Sequence, residues 1–120
     1  MGRRILIVDD AAFMRAVLKN LLSRSGYRIC GEASTGEEAI EKYIELKPDL
    51  VTMDITMNGM DGIEALRKIV QIDKSAKVIM CSAMGQQDLV IESIQGGARD
   101  FIVKPFSDGR VLSAVRRQIG

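Results

Sequence analysis

Residues 5–10 read Ile5-Leu6-Ile7-Val8-Asp9-Asp10, four apolar side chains in a row and then two carboxylates. An unbroken apolar run this short fits a strand buried on both faces of a parallel sheet. The acids would then stand at the strand's carboxyl end. Three further runs repeat the plan: Leu50-Val51-Thr52-Met53 before Asp54, Val78-Ile79-Met80-Cys81 before Ser82, and Phe101-Ile102-Val103 before Lys104. A fifth run, 27–33, alternates imperfectly with polar residues and fits an edge strand with one wetter face.

Amphipathic segments fill the spaces between these runs. The first places Phe13, Val17, Leu18, Leu21 and Leu22 on one helical face, with Gly26 as the stop. The second opens on Thr35-Gly36-Glu37-Glu38, a capping box, and turns Ala39, Ile40 and Tyr43 inward. The third opens on Asp61-Gly62 and carries Ile63, Leu66, Ile69 and Val70. The fourth carries Leu89, Val90 and Ile94 and ends near Gly96-Gly97; the fifth, capped by Ser107, carries Val111, Leu112, Val115 and Ile119. Strand–helix alternation repeated in this way predicts an α/β fold: a doubly wound, five-stranded parallel sheet of order 2-1-3-4-5 with five helices, the flavodoxin-like arrangement. Residues 1–120 read as a single domain without a linker.

Composition removes several function classes. The chain is 47% hydrophobic and 28% charged with a net charge of +1, which offers no basic footprint for nucleic acid. No apolar run approaches the ~20 residues of a membrane span, and Met1–Asp10 lacks a secretory apolar region, so a cytoplasmic location is expected. With no histidine in the chain, Ser–His–Asp and Cys–His catalysis are excluded within it. Cys30 and Cys81 are expected to be small buried hydrophobes. In the predicted strand order they lie about 14 Å apart at about 4.8 Å per strand, too far to be bridged.

In open α/β sheets, ligands bind outside the carboxyl ends of the strands where the strand order reverses. Asp9, Asp10, Asp54, Ser82 and Lys104 all fall at that edge. Taken singly, Asp10 could cap a helix, Asp54 could begin a turn, Ser82 could be a loop hydroxyl and Lys104 a solvated charge. Together, three acids this close repel unless a cation joins them. Oxygen ligands without His or Cys select a hard cation, and Mg²⁺ keeps positions open for phosphate. A carboxylate is also a nucleophile toward phosphorus. The nucleotide-cradling patterns G-x-x-x-x-G-K-[ST] and G-x-G-x-x-G are absent. Met57, Met60 and Met84 fall in loops near the site, as packing or as a pliable contact surface. Arg15 is expected to be exposed.

The stretches Ile7-Val8-Asp9-Asp10, Met53-Asp54, Cys81-Ser82-Ala83 and Phe101-Ile102-Val103-Lys104-Pro105-Phe106 resemble, in order and spacing, the receiver domain of bacterial response regulators, and in particular free-standing chemotaxis regulators. The resemblance covers essentially the whole chain. It implies that Asp54 is the phosphoacceptor, and that Asp9, Asp10 and the backbone carbonyl of Thr56 hold Mg²⁺ with Asp54, Asp10 the more direct ligand. It further implies that Ser82 and Lys104 contact the phosphoryl group, that Phe101 is a switch aromatic, and that the Lys104–Pro105 bond is cis. Asn58-Gly59 stands where the family commonly has proline, and tolerates positive φ.

The resemblance implies a regulator that catalyses its own phosphorylation and slow dephosphorylation rather than an enzyme turning over an external substrate. Its implied partners are a chemotaxis-type histidine kinase, the flagellar motor switch protein and a phosphatase, with the chain itself a monomer. A phosphorelay intermediate passing phosphate to another histidine protein remains an alternative, as does a small aspartyl-phosphate hydrolase.

Overall fold

In the computed structural model, which describes residues 3–120, the alternation takes the form β1 Arg4–Val8, α1 Ala12–Arg24, β2 Arg28–Ala33, α2 Gly36–Leu46, β3 Leu50–Asp54, α3 Gly62–Ile72, β4 Val78–Ala83, α4 Gln87–Gln95, β5 Asp100–Lys104 and α5 Asp108–Ile119. Met1 and Gly2, part of the N-terminal stretch read above, lie outside the described residues. The strands pair in parallel in the order β2-β1-β3-β4-β5, the predicted doubly wound topology.

The period of two along each strand explains why the central runs are apolar throughout. Leu6, Val8, Val51, Met53, Val78 and Met80 point to one face and pack with Ala39 and Tyr43 of α2 and Ile63, Leu66 and Ile69 of α3. Ile5, Ile7, Leu50 and Ile79 point to the other and meet Leu18, Leu21 and Leu22 of α1 and Val111, Ala114 and Val115 of α5. Both faces are covered, so both parities are apolar apart from the small, buried Thr52. The predicted caps form as well: Thr35, Asp61 and Ser107 accept from the backbone N–H of Glu38, Glu64 and Arg110.

Three expectations about burial need correction. Phe13 is 78% exposed, because the first turn of α1 starts beyond the carboxyl end of β1 and has no strand beneath it. Helix α4 buries only Ser93, while Leu89 and Val90 are half-buried and Ile94 is 46% exposed. A groove of about 640 Å³ separates α4 from the ends of β4 and β5 on that side. Strand β5 is the second edge of the sheet rather than a strand covered on both faces; Phe101 is half-buried and Val103 exposed, and both line the groove. Cys81 is buried and Cys30 half-buried; both are free thiols, on strands separated by β1 and β3.

Two glycines shape the loop after Asp54. Gly59 takes φ 76, the left-handed conformation expected of Asn58-Gly59. Gly62 starts α3 hard against the end of β3: its N–H donates to Ile55 O at 2.8 Å, and a Cβ there would overlap the carbonyl oxygen of Asp54. That oxygen belongs to a strand paired on both sides and has no room to retreat. Gly62→Ala is therefore expected to lower stability by about 2–3 kcal/mol, measured by chemical denaturation. A loss under about 0.5 kcal/mol, the usual size for a surface change, would show that the loop yields freely.

Candidate functional site

Strands β1 and β3 are neighbours whose crossovers leave in opposite directions, so their carboxyl ends open onto a crevice. Asp9 and Asp10 follow β1, and Asp54 ends β3. One carboxylate oxygen from each lies within 4.8 Å of the others. Lys104 arrives from the far edge of the sheet. Its Nζ donates to Asp9 Oδ2 at 3.0 Å and lies 3.5 Å from Asp54 Oδ1. Ser82 is fully buried at the end of β4, and its hydroxyl has no hydrogen-bond partner among the described residues. Thr56 is exposed in the loop two residues beyond Asp54.

The electrostatics follow from this packing. Asp54 is only 9% exposed. Burial pushes its carboxyl up; Lys104 pulls it back, while Asp9 and Asp10 push it up again, and it settles at about 6. Burial alone would lower Lys104, but its hydrogen bond to Asp9 and the charge of Asp54 outweigh that, so the ammonium stays firmly charged. Lys104 thus pairs with Asp9 and Asp54 and leaves Asp10 without a cation of its own among the described residues, so the cluster retains excess negative charge. The donor set is all carboxylate oxygen, which suits a hard divalent cation. Asp9 is already engaged, accepting from Ala11 N at 2.9 Å as well as from Lys104. The exposed Asp10 and the edge of Asp54 are better placed to take up an ion directly.

Residues 5–116 match the family described as "Response regulator receiver domain". The chain belongs to that family. The receiver domain is similar to the chemotaxis protein CheY of Thermotoga maritima, 61% identical over 117 residues that cover 98% of each chain. It is 60% identical to that of Bacillus subtilis over 119 residues, 99% of each. Among solved structures it resembles the CheX–CheY–BeF3–Mg complex from Borrelia burgdorferi, with a TM-score of 0.91 and 43% identity over 95% of this chain and 87% of that one.

The structure brings together Asp9, Asp10, Asp54 and Lys104, with Ser82 at the end of the next strand. Phe101 lies farther out, packed partly against the core and lining the groove beside α4. The Lys104–Pro105 bond is cis. Met57 is buried and Met60 half-buried as core packing, whereas Met84 is 75% exposed. Two polar residues of this receiver domain were not legible beforehand. Arg15 is not simply exposed: its guanidinium donates to Asp9 O at 2.6 Å and to Glu32 at 3.2 Å, which fixes the peptide between the two N-terminal acids. Gln86 reaches back from the start of α4 to Ala83 and Thr56. Nothing in their spacing marks either one, because the Arg15–Glu32 and Gln86–Thr56 contacts join elements far apart in the chain.

Proposed function

We propose that this chemotaxis response regulator takes a phosphoryl group on Asp54 from a histidine kinase, and signals in the cytoplasm through phosphorylation-dependent binding to the flagellar motor switch. The observation that carries the reading is the carboxylate triad, two of whose members, Asp9 and Asp54, are bridged by Lys104, beside a buried, unpartnered Ser82 hydroxyl. An orphaned buried hydroxyl costs stability, which favours a state in which it has an acceptor. Phosphoryl oxygens arriving at Asp54 would supply one.

The residues suit Mg²⁺, which Asp10 and Asp54 would hold with Asp9 and the Thr56 carbonyl, and which would neutralise charge on the transferring group. In the transfer, an Asp54 carboxylate oxygen bonds to phosphorus as the bond from phosphorus to the kinase's histidine nitrogen breaks, and the electron pair stays with that nitrogen. No general base is needed, since a carboxyl that titrates near 6 is mostly ionised at neutral pH. Lys104 meets the charge on the equatorial oxygens, and Asp9 holds the ammonium in place meanwhile. The product is an acyl phosphate that water can cleave slowly, making the chain a self-modifying regulator. Hydrogen bonding of the Ser82 hydroxyl to the phosphoryl group would then free space beside β5 for the Phe101 ring, which already packs partly against the core.

Phosphorylated chemotaxis kinase is expected to transfer its label to this chain and not to Asp54→Asn. Beryllofluoride with Mg²⁺ is expected to tighten binding to the motor switch protein about tenfold and to shift the ring-proton signals of Phe101. No transfer to the unchanged chain would refute the reading. Unchanged ring signals alongside a rise in affinity would place the switch elsewhere in the domain.

A further inference from the structure

The amide of Ala83 is an unusual backbone donor. Along β4, Cys81 faces β3, where its carbonyl accepts from Ile55 N at 3.0 Å. Ala83, two residues on, faces the same way. The ladder would offer it the Ile55 carbonyl, but that oxygen is taken by Gly62 N–H. The Ala83 N–H is therefore left over at the carboxyl edge of the sheet, aimed toward the end of β3. Lys104 is the ladder partner of Ala83 on the opposite side, and its ammonium crosses the end of β4 to reach Asp54. The Ala83 peptide thus lies between the two groups that would flank a phosphoryl group.

Gln86 occupies this donor. Its Oε1 accepts from Ala83 N at 2.6 Å, and its Nε2 donates to Thr56 Oγ1 at 3.0 Å. The one side chain ties the β4–α4 loop to the β3–α3 loop across the mouth of the site. The backbone of Gln86 is also the first anchor of α4, its carbonyl accepting from Val90 N at 3.0 Å. Helix α4 is otherwise held by few contacts: Ser93, its one buried residue, Leu89 packed partly against the core, and the Arg67–Glu92 ion pair.

We propose that Gln86 is a latch: in the unphosphorylated protein it holds the Ala83 amide, and a phosphoryl group on Asp54 displaces it from that amide, releasing the N-terminus of α4. This rests on the reading of Asp54 as phosphoacceptor. A phosphoryl oxygen is a charged acceptor and outcompetes a neutral amide oxygen for the same N–H. Both contacts of the glutamine, to Ala83 and to Thr56, are solvent-exposed, so each is a modest restraint that a charged acceptor can displace. Gln86 is on this account a positioning residue. It sets how readily the phosphorylated conformation forms, and it couples the site to the helix bordering the α4–β5 groove.

The test is titration of the ¹⁵N-labelled chain with beryllofluoride at fixed Mg²⁺, following the Ala83 amide signal. Gln86→Ala, and the near-isosteric but apolar Gln86→Met, are expected to bind the adduct roughly three- to tenfold more tightly, as removal of one competing hydrogen bond implies. In both, the free-state Ala83 amide should lose protection from hydrogen exchange, while its signal in the adduct matches that of the unchanged chain. Thr56→Val should produce part of the tightening and add nothing on top of Gln86→Ala, because the two side chains form one chain of contacts. Affinity that is equal to or weaker than that of the unchanged chain in both Gln86 variants would overturn the latch, as would an Ala83 amide equally protected without the glutamine. Failure of the unchanged chain to form an adduct, or an undiminished adduct in Asp54→Asn, would instead overturn the phosphoacceptor reading.

Discussion

Asp54→Asn is expected to take up no phosphoryl group from a small acyl phosphate under conditions where the unchanged chain is labelled to completion. On the proposed reading the donor needs no kinase surface, since the nucleophile and its stabilising charges would belong to the chain itself. An amide at the same place keeps the shape but has no ionised oxygen to attack phosphorus. The neighbouring acids cannot substitute: Asp9 is committed to Ala11 and Lys104, and Asp10 stands exposed at the rim. Chelating Mg²⁺ with EDTA should slow labelling of the unchanged chain by at least on the order of a hundredfold, because one lysine cannot offset three carboxylates and an incoming dianion. Label that persists on Asp54→Asn at the unchanged rate, measured by mass spectrometry, would place the acceptor elsewhere. Indifference to EDTA would remove the metal from the mechanism.

The same substitution is expected to make the metal-free protein more stable. The Asp54 carboxyl titrates at about 6 in the folded chain, above its ordinary value of 3.8, first because it is buried and then because Asp9 and Asp10 add negative charge against the pull of Lys104. A folded-state value raised above the unfolded one means that the folded protein binds the proton more tightly. Ionisation therefore costs stability, in full above pH 6, and the cost disappears as pH falls through 6 toward 4. With screening by solvent at the open side of the crevice, it amounts to about 1–2 kcal/mol at neutral pH. Asp54→Asn should accordingly melt roughly 4–8 °C higher than the unchanged chain near pH 7.5 in EDTA. The gap should shrink as pH is lowered toward 4, where both forms carry a neutral side chain. Millimolar Mg²⁺ should raise the melting temperature of the unchanged chain and do so less for the variant. A variant that melts lower at pH 7.5, with no response to Mg²⁺ in either protein, would show that the three acids do not strain the fold.

The two predictions share one physical origin. Burial and mutual repulsion hold Asp54 in a state that the folded chain tolerates at a cost, and on the proposed reading both a cation and a phosphoryl transfer would draw on that tension. Lys104 keeps the tension from becoming excessive. It comes from β5, the second edge of the sheet, and spans the ends of β4 and β3 to reach Asp9. Arg15 supports the same arrangement from α1 by fixing the Asp9 carbonyl.

Much of this arrangement was legible in the chain alone. The nearly continuous apolar runs 5–8, 50–53 and 78–81 read as strands covered on both faces, and their alternation with amphipathic segments points to a parallel sheet with helices on each side. Once that topology is set, the residues that end each strand must share an edge, so Asp9, Asp10, Asp54, Ser82 and Lys104 could be placed together without coordinates. What lay beyond the sequence was everything that depends on where a helix or a long side chain comes to rest against another element. Phe13 and Ile94 satisfy a helical period, yet both are exposed, since periodicity tells which face a residue shares and not whether anything lies beneath that face. Val103 belongs to an apolar run, but its strand is an edge beside an open groove. Arg15 and Gln86 act through bonds that reach 17 residues to Glu32 and 30 residues to Thr56. Such contacts form only when packing has brought separate elements to one place. The local pattern determined which residues stand at the crevice; tertiary packing alone decided which of them touch.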